Sequence, residues 1–275
     1  MAARTTYKLD ATRTFGIEIE AYGVNPMTVC QSLNAAGIAC QVEGYNHATS
    51  TGWKIVSDSS IVGSNSFELV SPPLAGADGI AQVTTVCQVL QTLGVQVNRS
   101  CGLHVHHDAN DLSLNAWKNL SKLYLKYEAT LDSLLPRSRR MGSNNYCKAL
   151  RSRFASITDG FAAIDQAGDL RRLASLLEGM DRYHTLNLTA FWRHGTVEVR
   201  HHSGTIEAEK ILHWVSLTQC LVLRAIERDD IKLRFTGLSA LTEKGWNVNH
   251  THSRPSNTTI LFYEQRQAAF AAQGR

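Results

Sequence analysis

Residues 15–22 read FGIEIEAY, and their alternation decides the fold class. Successive side chains of a strand point to opposite faces, so Phe15, Ile17, Ile19 and Ala21 share one side while Gly16, Glu18, Glu20 and Tyr22 share the other. One face is apolar and the other acidic. Three further stretches follow the same scheme. In Ser66 to Ser71, Glu68 and Val70 oppose Phe67 and Leu69; in Gly102 to Asp108, His104 and His106 oppose Leu103 and Val105; in Thr196 to His202, Glu198 and Arg200 oppose Val197 and Val199. The run Thr185 to Ala190 adds Asn187 and Thr189 against Leu186 and Leu188 as a fifth expected strand.

Helical patterns separate these strands. Residues 26–36 start with Asn25 before a proline and stop at Gly37, the start and stop chemistry of a helix. Residues 78–93 place Ile80, Val83, Cys87 and Leu90 at helical spacing, with Gly94 as a left-handed C-terminal cap. Residues 113–134 carry the stripe Trp117, Leu120, Tyr124, Tyr127 and Leu131, and residues 207–228 carry Ile211, Trp214, Leu217, Leu221 and Ile226. Strands and helices do not alternate strictly, and no glycine-rich turn follows a strand. The expected class is α+β, a curved antiparallel sheet with helices packed on its outer face, rather than a doubly wound nucleotide fold. No linker or repeat divides residues 1–275, so a single domain is expected.

Composition narrows the function. Lys and Arg number 28 against 24 Asp and Glu, a net charge of +4 spread along 275 residues; nucleic-acid binders usually show a concentrated positive face, so nucleic acid is not indicated. No run approaches a membrane span, and Met1 to Thr14 lacks the apolar core of a signal peptide, which makes the cytoplasm the expected location. The six cysteines form no CxxC pair, and reduced, buried thiols are the simplest reading. Nothing in the sequence fixes the oligomeric state.

The polar sheet face carries the chemistry. Glu18 and Glu20 lie within about 7 Å of each other, where repulsion is roughly 2 to 3 kcal/mol at an effective dielectric near 20. If Glu68, Glu198, His104 and His106 converge there too, four carboxylates and two imidazoles need a counter-charge. Mg²⁺ or Mn²⁺ is the natural one, and such a centre suits phosphoryl chemistry. Arg200 can neutralise a transferring phosphoryl group or grip a carboxylate. Each piece has a plainer reading: two glutamates on a solvated face, exposed histidines, or Glu198 and Arg200 as a surface pair.

As an ordered set, FGIEIE at 15–20, DSSI at 58–61, ELVSPPL at 68–74, CGLHVH at 101–106 and TVEVRHHSGT at 196–205 resemble the amidoligase family, which is frequent in bacteria and bacteriophages and is similar to glutamine synthetase and glutamate-cysteine ligase in its catalytic sheet. The resemblance implies ATP-dependent joining of a carboxylate to an amine through an acyl phosphate. It implies metal-ligand positions at Glu18, Glu20, Glu68, His104 and Glu198. His104 and the following His106 stand near the nucleotide phosphates, and Arg200 serves as a phosphate-binding cation. Glutamine synthetases often carry an arginine two residues before the late glutamate, where Thr196 stands in this sequence, so another residue, Arg182 or Arg193, is expected to supply that contact. Ammonia as the amine is not implied, because the glutamine synthetase segments for it are missing from these residues.

The amine must lose a proton, and Asp58, opening the DSSI turn, is a candidate base; capping that turn is its equally weighted alternative. The expected substrates are small-molecule or peptide carboxylates and amines, with no membrane partner. The alternatives are a zinc-dependent hydrolase built on His104 and His106, and an inactive binding module on the same fold. Arg137, Arg139 and Arg140 read by default as a solvated loop, and Arg151, Arg153, Arg171 and Arg172 as surface charges. Residues 244–258, including Trp246, Asn247, Asn249, His250, His252 and Asn257, read as a surface loop ahead of a C-terminal helix, with an acceptor pocket as the alternative.

Overall fold

The computed structural model describes residues 7–44, 49–140, 144–244 and 253–273. In chain order the strands and helices are β1 Phe15–Ala21, α1 Pro26–Ala35, β2 Cys40–Val42, β3 Trp53–Val56, β4 Phe67–Val70, α2 Gly76–Thr92, β5 Gly102–Asp108, α3 Leu114–Ser133, α4 Ile157–Gln166, α5 Leu170–Glu178, β6 Leu186–Asn187, α6 Phe191–His194, β7 Thr196–Ser203, α7 Ala208–Glu227, α8 Leu238–Leu241 and α9 Asn257–Ala272. The class is α+β, a curved, open, mixed sheet with helices. The chain divides into two compact units. One comprises residues 9–107 and 202–215; the other comprises residues 1–8, 108–201 and 216–275.

In the unit of residues 9–107 and 202–215 the strands run in the order β2-β3-β4-β1-β5. All neighbours are antiparallel except the edge pair β2 and β3, which is parallel. That parallel edge is a departure from the all-antiparallel expectation. At the start of that pairing the Trp53 amide donates to the Ala39 carbonyl at 2.9 Å. The alternation read from the sequence is realised: Phe15, Ile17, Ile19, Phe67, Leu69, Leu103 and Val105 are all buried. Each such side chain contributes roughly 1.5–3 kcal/mol by leaving water. Helix α2 turns Gly79, Val83, Val86, Cys87 and Leu90 inward. An added Cβ at Gly79 would come within 3.2 Å of the Phe15 ring and 3.1 Å of Leu74, so the missing side chain lets the helix settle onto that end of the sheet. Gly204, in the TVEVRHHSGT motif, meets Cys101 in the same way: an added Cβ would sit 2.5 Å from Cys101 Cβ, and its amide donates to the Cys101 carbonyl at 2.7 Å.

Two imidazoles on the apolar side of this unit make it acid-sensitive. His107 and His213 are fully buried. Burial first, then the charges of Arg13 and His106, push His107 down to about 3, and burial pushes His213 down to about 4. In the unfolded chain both take a proton near 6.5. Between those limits the unfolded state binds more protons, so stability is complete above about pH 6.5 and declines as pH falls. Each histidine is expected to remove about 2–3 kcal/mol by pH 4.5. Urea-unfolding midpoints across this range test it: His213→Leu should flatten the pH dependence, and an unchanged slope would disprove its share.

In the other unit, α3 is buried nearly all round rather than along one stripe, with α4, α5 and α8 against it. Its polar residues are therefore partnered. Glu128 accepts the amides of Leu150 and Arg151 at 2.8 and 3.0 Å and the Thr185 hydroxyl at 2.6 Å. Lys122 pairs with Asp165 and Asp230 at 2.5 and 2.9 Å. The expected fifth strand shrinks to β6, because the Asn187 side chain takes the Thr189 amide at 2.8 Å and turns the chain into α6.

Several arginines depart from the surface reading. Arg139 is buried within a 3₁₀ turn closed by its amide on the Pro136 carbonyl at 2.9 Å. Arg151 is half-buried and donates to Asp132 at 2.6 Å. Arg171 and Arg172 are exposed as expected. Trp246, Asn247, Asn249, His250 and His252 lie outside the described residues, and Asn257 opens α9 rather than ending a loop. All six cysteines are free thiols, five of them buried. Among the described residues, no helix is long and apolar enough to cross a membrane.

Candidate active site

Strand register brings scattered acids together. In the first unit, β1 pairs with β4 so that Glu20 stands opposite Glu68, and with β5 so that Glu18 stands opposite His104 and Gly16 opposite His106. Directly paired residues share a face, and like charges set opposite each other are destabilising. The fold therefore places two carboxylates where they repel, with the His104 imidazole of the next strand within reach of both.

His104 has carboxylates at both ring nitrogens. Its Nδ1 lies 2.9 Å from Glu18 Oε2 and 4.0 Å from Glu68 Oε1, and its Nε2 lies 3.3 Å from Glu20 Oε1. His106 Nε2 lies 3.2 Å from Glu18 Oε1. Glu20 Oε2 accepts the Gly102 amide at 2.5 Å, which ties the carboxylate to the start of the CGLHVH strand. Burial alone would raise the Glu18 pKa, but hydrogen bonds from His104 and His106 hold it well below the ordinary range. One ligand atom each from Glu20, Glu68 and His104 fall within 4.8 Å of one another. Two carboxylate oxygens and one imidazole nitrogen, largely withdrawn from water, fit a divalent cation.

Glu198 and Arg200 lie in the other unit, buried at 4% and 8% exposure, so the surface-pair reading does not hold. Arg200 Nη1 donates to Glu198 Oε1. Asn187, opposite Glu198 in the β6–β7 register, donates to its other oxygen at 2.6 Å. Arg200 Nε donates to the Tyr146 carbonyl at 3.5 Å, and its guanidinium lies 5.9 Å from the Tyr183 ring centre. Arg182 covers the same ring at 5.2 Å. Of the two arginines expected to stand in for the one absent at Thr196, Arg182 thus shares an aromatic neighbour with Arg200, whereas Arg193 is exposed on α6.

Asp58 caps its turn, Oδ1 accepting the Ser60 amide at 2.7 Å. His202 is buried against Trp214, ring centres 5.1 Å apart. Sequence reasoning missed Lys54 and the role of Asn187. The signal for Lys54 was a lysine inside WKIV, a run otherwise made of large apolar residues. The run does not alternate between buried and open positions, so it did not register as a strand.

The fold and this face define an α+β protein with an acidic, histidine-bearing candidate metal centre on one side of an antiparallel sheet. The chain belongs to the amidoligase family: the family model described as "Putative amidoligase enzyme" matches residues 11–222, which contain all five motifs. Among solved structures it is similar to a bifunctional glutathione synthetase from Pasteurella multocida, at 12% identity and a TM-score of 0.49, over 94% of this chain and 47% of that one. It is also similar to a novel glutamine synthase homolog, at 12% identity and a TM-score of 0.45, over 94% of this chain and 67% of that one. The chain thus spans about half the length of the glutathione synthetase. No curated protein matches it.

Proposed function

We propose that this chain is an ATP- and Mg²⁺-dependent (or Mn²⁺-dependent) carboxylate-amine ligase that forms an amide or isopeptide bond through an acyl phosphate. The observation that carries the proposal is the Glu20–Glu68 register pair with His104 3.3 and 4.0 Å from the two carboxylates. Glu18, Glu20, Glu68 and His104 are the metal ligands in this reading, and the family pattern adds Glu198. A bound divalent ion supplies charge neutralisation for the triphosphate.

A carboxylate oxygen of the first substrate attacks the γ-phosphorus, and ADP leaves with the electron pair of the broken P–O bond. The amine nitrogen of the second substrate then attacks the acyl carbon, loses a proton, and inorganic phosphate departs. Arg200 offsets the growing negative charge on the transferred group, a role that positioned cations fill in phosphoryl transfer. His106 and Arg182, or Arg193, assist in binding the nucleotide. Asp58 is the proposed base for the amine proton. The substrates are small-molecule or peptide carboxylates and amines, and a requirement for ATP implies a cytoplasmic setting.

Calorimetry of the purified protein with Mg²⁺ and a non-hydrolysable ATP analogue, together with metal analysis, tests the reading. Micromolar nucleotide binding that needs Mg²⁺ is expected. Stoichiometric, tightly held zinc would point to a hydrolase instead, and no nucleotide binding at all to an inactive binding module.

A further inference from the structure

We infer that His201 and Thr185 are positioning residues: anchored on Asp132 and Glu128 of α3, they set the Arg200 guanidinium against the transferred phosphoryl group, an assignment that rests on the ATP-dependent reading above. Three stretches of the unit that holds α3 surround Arg200. Residues 146–147 meet it through the Tyr146 carbonyl, which accepts from Nε at 3.5 Å, and through the Cys147 thiol, which donates to the Arg200 carbonyl at 3.4 Å. Residues 183–185 set the Tyr183 ring centre 5.9 Å from the guanidinium, and the Thr185 carbonyl accepts the Arg200 amide at 2.9 Å. The third stretch is β7 itself, where Glu198 accepts from Nη1.

All three stretches are tied to α3. Successive residues of a strand point to opposite sides, so His201 turns away from the side on which Arg200 lies. Its Nε2 lies 2.9 Å from Asp132 Oδ1 and its Nδ1 lies 3.1 Å from the Tyr124 hydroxyl, both on α3. Glu128, one helical turn before Asp132, accepts the Thr185 hydroxyl at 2.6 Å and the amides of Leu150 and Arg151 at 2.8 and 3.0 Å. The two loop stretches also hold each other. Lys148 donates its amide to the Tyr183 carbonyl at 2.8 Å, and Thr185 donates its amide to the Lys148 carbonyl at 2.9 Å.

This clamp is a costly way to fill a core. Glu128 is fully buried and Asp132 nearly so, and like charges four residues apart on a helix repel. Arg151 offsets part of that repulsion, with Nη2 2.6 Å from Asp132 and Nε 3.9 Å from Glu128. Well-packed apolar residues of similar volume often serve stability as well as a buried ionic group does. Hydrogen bonds, unlike apolar contacts, fix direction. The polar clamp therefore gives Arg200 a defined aim, and a misplacement of about 1 Å can cost on the order of 100-fold in rate.

Calorimetry on the full chain, comparing the non-hydrolysable analogue AMP-PNP with ADP, each with Mg²⁺, tests the assignment. His201→Phe keeps a ring and drops both polar contacts, so it should weaken AMP-PNP about 10-fold while leaving ADP within about twofold. His201→Gln, whose side-chain amide can still reach Asp132, should restore most of that loss. In an Arg200→Lys background, which lacks the planar fork, His201→Phe should cost less than about threefold more, because residues that act through one another are not additive. Thr185→Val keeps the shape and loses the hydroxyl on Glu128; it should repeat the pattern at about threefold, and it carries the test if His201→Phe does not fold. Equal loss for both nucleotides, a loss in the Arg200→Lys background as large as in wild type, or unchanged AMP-PNP binding would overturn the assignment while leaving the ligase reading in place. Wild-type protein that binds neither nucleotide would remove both.

Discussion

Glu68→Gln is expected to lower Mn²⁺ affinity by at least about 100-fold, because even partners one shell removed from a metal commonly contribute 10- to 100-fold. The substitution keeps the shape and removes the charge. It also relieves the repulsion between Glu68 and Glu20, which stand opposite each other across β1 and β4. Without metal, the variant should therefore be as stable as wild type or more so, by a few tenths to about 1 kcal/mol. Opposite signs separate a carboxylate kept for a ligand from one kept for structure. Titration of Mn²⁺ followed by electron paramagnetic resonance, with urea unfolding in parallel, reads both. Metal affinity within about threefold of wild type, or a clear loss of metal-free stability, would remove Glu68 from the centre. Glu20→Gln should behave alike in metal binding, since its amide oxygen can still accept the Gly102 N–H.

Arg200→Ala is expected to reduce carboxylate-dependent ATP turnover by about 10³-fold or more, the scale reported when one charge-stabilising donor of a phosphoryl or acyl transfer is lost. The cause is local. The guanidinium holds Glu198 and lies over Tyr183, so it is oriented before any substrate arrives. Its removal takes a charged partner from the buried Glu198, which Asn187 also holds, and breaking a buried ion pair in this way is itself destabilising by about 3–5 kcal/mol. Arg200→Lys separates the two effects. It keeps the charge and much of the stability but loses the planar fork, so turnover should fall by an intermediate factor. Turnover is measured as phosphate release over a panel of amino acids and short peptides offered as carboxylate donors. Activity in Arg200→Ala equal to wild type would contradict the charge-stabilising role.

Much of this was legible before any coordinates. Period-two alternation at 15–22, 66–71, 102–108 and 196–202 placed four strands with their acidic and imidazole residues opposite their apolar ones, and β1, β4, β5 and β7 carry that pattern. Proline and glycine punctuation placed α1 and α2 within two residues of their ends. The strand expected at 185–190 fell short because Asn187 prefers to bond its own neighbours, a competition between side chain and backbone that alternation does not register. Arg139 and Arg151 looked like surface charge because a basic cluster carries no mark of the carbonyls and carboxylates that later surround it. β3 went unseen because WKIV does not alternate: all four of its residues are buried, and Ile55 and Val56 are apolar side by side.

Which face of each strand is polar is a local property, written in the order of the side chains and enforced by the pleat of the backbone. Which polar residues become neighbours is not local. The pairing of Glu20 with Glu68, of Glu18 with His104, and of Lys54 with Val70 comes from strand order and register. A shift of one residue would send every one of those side chains to the opposite face, and that choice belongs to the packing of Phe15, Ile17, Phe67 and Leu103 in the core.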